Sequence, residues 1–207
     1  THVDELVQLT PRAAGTADAS SEGAGGIWLG SFPPTVWRVR WPDDIRQRYK
    51  MGSITNSDLE MAAIIGQMLV LEQLTPMRRQ HCKLFLDNTP AVSWTTNLVA
   101  KADSIVAARL LRALAMRSRT TEAALPLTTH WPGDQNYHAD TASRSTSKFH
   151  SGPNRGKPCV DDCSFLTLFR STFYLPQEAS WQLQRVPEHQ LSLLNLDTAW
   201  TEIAHAT

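Results

Sequence analysis

The sequence predicts an α/β protein: a mixed five-stranded sheet packed by helices, with a C-terminal extension. Three observations carry this. Apolar segments separated by turn residues crowd positions 12–41, as in an antiparallel meander. Beyond them, stretches with apolar residues at helical spacing alternate with short strand-like runs, the pattern of strands joined through helices. After Ser145 the composition turns to Ser, Gly, Pro and charge, and the alternation stops.

Strands are expected at 12–19, 25–30 and 36–41, the first two joined by a Gly/Ser turn, with Asp18 near the end of the first. A long helix follows to about Leu74; Ser57 and Glu60 have the spacing of a capping box, so Glu60 projects from its first turn. The run KLFLD makes a strand at 83–87 that stops at Asp87 and passes through Asn88, Thr89 and Pro90 into a short helix. SIVAARLLRALAMRS, at 104–118, repeats apolar residues at i, i+3 and i+4, a core-facing stripe. A fifth strand at 127–131 breaks at Pro132-Gly133, and a last helix at 136–145 carries Asp140 on its first turns.

Four acids, Asp18, Glu60, Asp87 and Asp140, thus fall where such a sheet would gather carboxylates at one end. Each alone reads more simply as a turn-former or a helix cap. Their order changes that reading. The words ADAS-x-x-GAGG, TNSDLE-x-A, LFLDN and PG-x-x-N-x-x-AD-x-x-SR follow one another with the acids 42, 27 and 53 residues apart. Over roughly residues 10–146 the chain resembles the ribonuclease H domain of retroelement reverse transcriptases, of the long-terminal-repeat or tyrosine-recombinase retrotransposon type.

The resemblance implies a ribonuclease H-like fold and a hydrolase: an endonuclease, ribonuclease H, that cuts the RNA strand of an RNA/DNA hybrid during reverse transcription. It implies two Mg²⁺ ions, with Mn²⁺ as a substitute, held by Asp18, Glu60, Asp87 and Asp140 as metal-binding and catalytic residues. It also implies an adjacent reverse transcriptase domain as partner. Phosphodiester hydrolysis with two divalent ions roughly 4 Å apart explains why acids are required, because hard cations take carboxylate and phosphate oxygens. Asn56, Asn88 and Thr89 are candidate contacts to the 2′-hydroxyls that distinguish RNA from DNA. Arg144, just after the last acid, is a candidate phosphate contact. His130 and His138 are expected to be structural or solvent-exposed.

The formal net charge is zero, so the chain is expected to grip nucleic acid weakly by itself and to gain affinity from a tethered neighbour. Basic groups at Arg38, Arg40, Arg46, Arg48 and Lys50 are expected to form solvated faces. No apolar run is long enough to span a membrane and no signal peptide is visible, so an intracellular location is expected. A start at Thr1 rather than Met is expected of a piece processed from a longer polyprotein.

The expected organisation is a ribonuclease H-like domain at 1–146, a linker or long loop at 147–164 and an aromatic-rich extension at 165–207, which packs back on the domain or binds another part of the assembly. An odd cysteine count argues against a disulfide framework, and Cys159, Cys163 and His150 lack an evident fourth zinc ligand. The seven Trp residues are expected in packing rather than base stacking. Two other functions stay open: a catalytically inactive ribonuclease H-like module that binds nucleic acid or a partner, and a relative of integrases or resolvases acting on DNA.

Overall fold

The computed structural model describes residues 10–145, 161–176 and 179–186. In chain order these form β1 (Ala13–Ala19), β2 (Gly23–Gly30), β3 (Thr35–Arg40), α1 (Asp43–Lys50), α2 (Asn56–Leu74), β4 (Cys82–Leu86), α3 (Thr89–Asn97), α4 (Ile105–Thr121), β5 (Leu127–His130), α5 (Tyr137–Arg144), α6 (Asp162–Thr172) and β6 (Gln182–Gln184). The sheet order is β5-β4-β1-β2-β3-β6. Strands β1, β2 and β3 are antiparallel neighbours, whereas β4 and β5 continue parallel to β1. This is the mixed α/β sheet packed by helices that the sequence predicts, with six strands where five are expected.

The sixth strand belongs to the extension. Gln182–Gln184 has no apolar run to betray it, because it joins the sheet edge through backbone bonds: it lies parallel to β3, and Gln182 N donates to Pro34 O at 2.8 Å just before the paired segment.

Period-two alternation splits β1 and β2 between two helical layers. On one face the close approach of α2 depends on missing side chains: a Cβ at Gly26 would lie 2.5 Å from Gln67 Oε1. Gln67, fully buried in mid-helix, donates to Ile27 O at 2.8 Å, accepts from the Trp37 indole, and offers its carbonyl to Trp28 Nε1 at 2.8 Å. Helix α2 is buried without a break from Asp58 to Leu71, since it lies between the sheet and α4. That explains its nearly uninterrupted apolar sequence.

On the other face α5 seats on β1 and β2, where a Cβ at Gly25 would lie 2.6 Å from the Ala142 side chain. Helix α6 packs beside it. Phe165, Phe169, Phe173 and Trp181 join Ile27, Val36 and Ala142 in a second apolar cluster, so part of the extension is built onto the domain.

Three expectations change. The cap of α2 is Thr55 with Asp58, not Ser57 with Glu60: Thr55 Oγ1 accepts from Asp58 N, and Asp58 Oδ2 accepts from Thr55 N at 2.8 Å. Both pairs share the same spacing, and Thr55 adopts the extended backbone that a cap requires. Secondly, α1 stands between β3 and α2, where the sequence offered only a basic stretch. Thirdly, Arg38 is not solvated. It is 9% exposed on β3, pairs with Asp162 at 3.1 Å, donates to Ser145 Oγ and lies over the Phe165 ring. Its partners come from more than a hundred residues away, which local pattern cannot reveal. Cys159 and His150 lie outside the described residues.

Candidate active site

Strand ends supply two of the acids. Asp18 is the penultimate residue of β1, and Asp87 follows β4 directly, so parallel pairing of these neighbours carries both carboxylates to the same sheet end. The third arrives from α2. Because Thr55 and Asp58 close the cap between themselves, Glu60 is free to face the strand ends. Asp58 Oδ1 also accepts from Ala107 N at 3.0 Å, fixing the first turn of α2 against α4. Oxygens of Asp18, Glu60 and Asp87 all lie within 4.8 Å of one another.

Asp140 stands at the edge of this group, in the first turn of α5. Its charge acts on both Asp18 and Asp87, while its Oδ1 accepts from Arg144 Nε at 2.5 Å. The sequence-predicted acids therefore divide into a tight trio and a neighbour paired with arginine.

The electrostatics of the trio are unfavourable as they stand. Burial, with added repulsion from Asp87 and Asp140, pushes Asp18 up to about 7 against the hydrogen bond from Ser143. Burial, then repulsion from Asp18 and Asp87, holds Glu60 well above the usual carboxylate range against a weaker opposing pull from the Ala19 backbone and Asn56. Asp87 is raised chiefly by burial, and among weaker influences Asp140 raises it while His130 and Arg144 oppose. Glu60 Oε1 accepts a long bond from Asn56 Nδ2, 3.4 Å, but Oε2 is buried with no hydrogen-bond partner. An orphaned carboxylate oxygen beside two further acids costs folding free energy unless a cation answers it. The donor set fits a hard divalent metal: oxygens only, three converging, one without a partner.

A cavity of about 380 Å³ opens over the acids and is lined in addition by Asn56, Asn88 and Arg144. Asn88 also caps α3, accepting from Ala91 N at 3.0 Å. Thr89 is exposed at the start of α3 and does not line the cavity. His130 is exposed at the end of β5, opposite Leu86 in register and so beside Asp87. His138 points instead into the aromatic cluster of the extension, 4.3 Å from the Phe173 ring centroid, where burial lowers its pKa.

Sequence reasoning passed over Ser20, Ser21, Tyr49 and Ser143. The first three line the cavity, and Ser143 donates to Asp18 Oδ2. Ser143 was visible as the serine of the final motif; Tyr49 had no motif around it.

No family model matches the chain, and no curated protein matches it. Among solved structures it is similar to the ribonuclease H1 of the halophilic archaeon Halobacterium salinarum NRC-1, with 16% identity, coverage of 63% of this chain and 93% of that one, and a TM-score of 0.44. It is also similar to LC11-RNase H1 in complex with an RNA/DNA hybrid, with 14% identity, 63% and 92% coverage and a TM-score of 0.44. A structure of LC11-RNase H1 isolated from compost by a metagenomic approach aligns at 12% identity over 63% and 91%, with a TM-score of 0.43.

Proposed function

We propose that the chain is a divalent-metal-dependent endoribonuclease that hydrolyses the RNA strand of an RNA/DNA hybrid, in support of reverse transcription. The convergence of Asp18, Glu60 and Asp87 around the orphaned Glu60 oxygen carries this reading. Buried like charges are expensive, and a binding scaffold has no use for them.

Asp18, Glu60 and Asp87 would hold the ions, with Asp140 completing the set from α5. Two Mg²⁺ bound there would supply Lewis acidity at the scissile phosphate and ease deprotonation of the attacking water. Arg144, beside Asp140 on the cavity wall, would meet a phosphate oxygen of the incoming strand. Asn56 and Asn88, with Thr89 at the rim, would orient its sugars. The bond from phosphorus to the 3′-oxygen breaks, water supplies the new oxygen of the 5′-phosphate, and a proton passes to the leaving 3′-oxygen. An adjacent reverse transcriptase domain would bring the hybrid, which a chain of zero net charge grips poorly alone.

The test is cleavage of an RNA/DNA hybrid labelled on its RNA strand, with Mg²⁺ and with chelator, alongside double-stranded DNA. Metal-dependent cuts in the RNA strand are expected, reduced about a hundredfold or more by Asp87→Asn, since loss of a group that stabilises transition-state charge costs that much. Binding without cleavage would establish the inactive module instead, and preferential cutting of duplex DNA would establish the integrase-like reading.

A further inference from the structure

We infer that Tyr49 contacts the substrate in this cavity, its phenol meeting the 2′-hydroxyl of one nucleotide of the RNA strand. The assignment rests on the nuclease reading and adds to it a residue that selects ribose.

Tyr49 is the next-to-last residue of α1. Its ring packs on the main core and opens onto the cavity that holds Asp18, Glu60 and Asp87, where it is the one aromatic side chain among the described lining residues. Its phenol makes no hydrogen bond among the described residues, so both its donor and its acceptor are available.

The surrounding contacts fix where that hydroxyl can go. Ile45 is buried beneath α1, and Arg46 reaches back to Glu22 at 3.2 Å. Just before the helix, Trp41 Nε1 donates to Ser20 O at 2.8 Å. The helix is thereby fastened to the turn that follows Asp18. At its other end Gly52, in the left-handed region at φ 74°, donates its N–H to Tyr49 O at 3.0 Å and turns the chain toward the cap of α2. One short stretch thus holds Tyr49 in register with both Asp18 and Glu60.

The chemistry of the lining beside the acids points to a sugar. Ser20, Ser21, Tyr49 and Asn56 offer neutral hydroxyl and amide groups, and Arg144 is the one cation among the described lining residues. A phosphate calls for cations; a 2′-hydroxyl, donor and acceptor at once, calls for groups of its own kind. Ser20 Oγ is already bonded to Gly23 O and Ser143 O, and Asn56 Nδ2 to Glu60. Ser21 is exposed in the turn and Asn56 keeps further amide groups for the sugars, but Tyr49 alone joins a ring anchored on the core to a hydroxyl without a hydrogen bond among the described residues.

A thermodynamic cycle tests this. Hybrids identical except for a single 2′-deoxy nucleotide, walked along the RNA strand, are titrated by fluorescence anisotropy in Mg²⁺ against Asp87→Asn and against Asp87→Asn/Tyr49→Phe. At one position the deoxy substitution is expected to weaken binding about three- to tenfold when Tyr49 is present and not at all in the Phe variant, whose affinity for the unmodified hybrid is already lower by that factor. Equal losses in both proteins at every position would overturn the assignment. Cleavage by the unaltered chain is measured alongside: cleavage without the coupling removes Tyr49 alone, and absence of cleavage removes the nuclease reading and this one with it.

Discussion

The Ser143 hydroxyl donates to Asp18 Oδ2, tying the last turn of α5 to the end of β1. Ser143 is almost completely buried, and its own carbonyl accepts from Ser20 Oγ at 3.0 Å. The bond orients the carboxylate and opposes, without cancelling, the burial that raises its pKa to about 7.

Ser143→Ala is therefore expected to weaken Mg²⁺ binding about tenfold, the loss typical when an outer partner of a ligand is removed. Ser143→Thr should restore most of it. Calorimetric titration of the folded variants reads the effect, and an unchanged affinity in the Ala variant would dismiss the role given to this hydroxyl.

The trio also predicts how stability follows pH. Asp18 titrates near 7 in the folded chain against an ordinary 3.8, and Glu60 and Asp87 are raised as well. Between those limits the folded state holds protons that the unfolded state has released. Asp18 therefore stabilises the metal-free protein below about pH 4, and that contribution is lost as pH climbs through about 7; Glu60 and Asp87, raised as well, act in the same direction. His138 works the other way near its ordinary value, because its folded pKa is lowered. Comparing melting temperatures with Asp18→Asn in chelator isolates the acid: the variant should gain on the parent as pH rises from 5 to 8. Added Mg²⁺ should stabilise the parent more at pH 8 than at pH 6, since ligands must be deprotonated to bind. A difference between the two proteins that does not change with pH would contradict the burial of charge described for Asp18.

The aromatic cluster beneath α6 makes a third expectation. Phe169 is fully buried against Phe165, Phe173 and Trp181. Phe169→Ala should cost roughly 3 kcal/mol or more in urea unfolding, the range for deleting a buried ring. A loss below about 1 kcal/mol would mean that the extension is only loosely held.

Much of this was legible beforehand, for identifiable reasons. The three-strand meander, α2, and the strands leading to Asp87 and Pro132 have local patterns that tertiary packing merely selects. The acids were legible because each sits at an element end whose position the fold dictates. What escaped depends on distant partners. Arg38 looked like a surface cation because Asp162 and Ser145 lie far along the chain. β6 has three residues and joins the sheet by backbone alone. The cap of α2 falls at Thr55 with Asp58 and not at the expected Ser57 with Glu60, because the extended backbone lies at Thr55, and Glu60 is left facing its fellow acids.

The strand at the margin of the sheet has a practical bearing. β3 would otherwise present an open row of amides and carbonyls, a template on which a stranger's strand could dock. β6 covers part of that row from within the same chain. Shortening the protein at the serine- and glycine-rich stretch, where a minimal catalytic unit invites trimming, would remove β6 together with the phenylalanines of α6 and bare both this row and the apolar patch of Ile27, Val36 and Ala142 that they cover, and clumping during expression is the failure to anticipate.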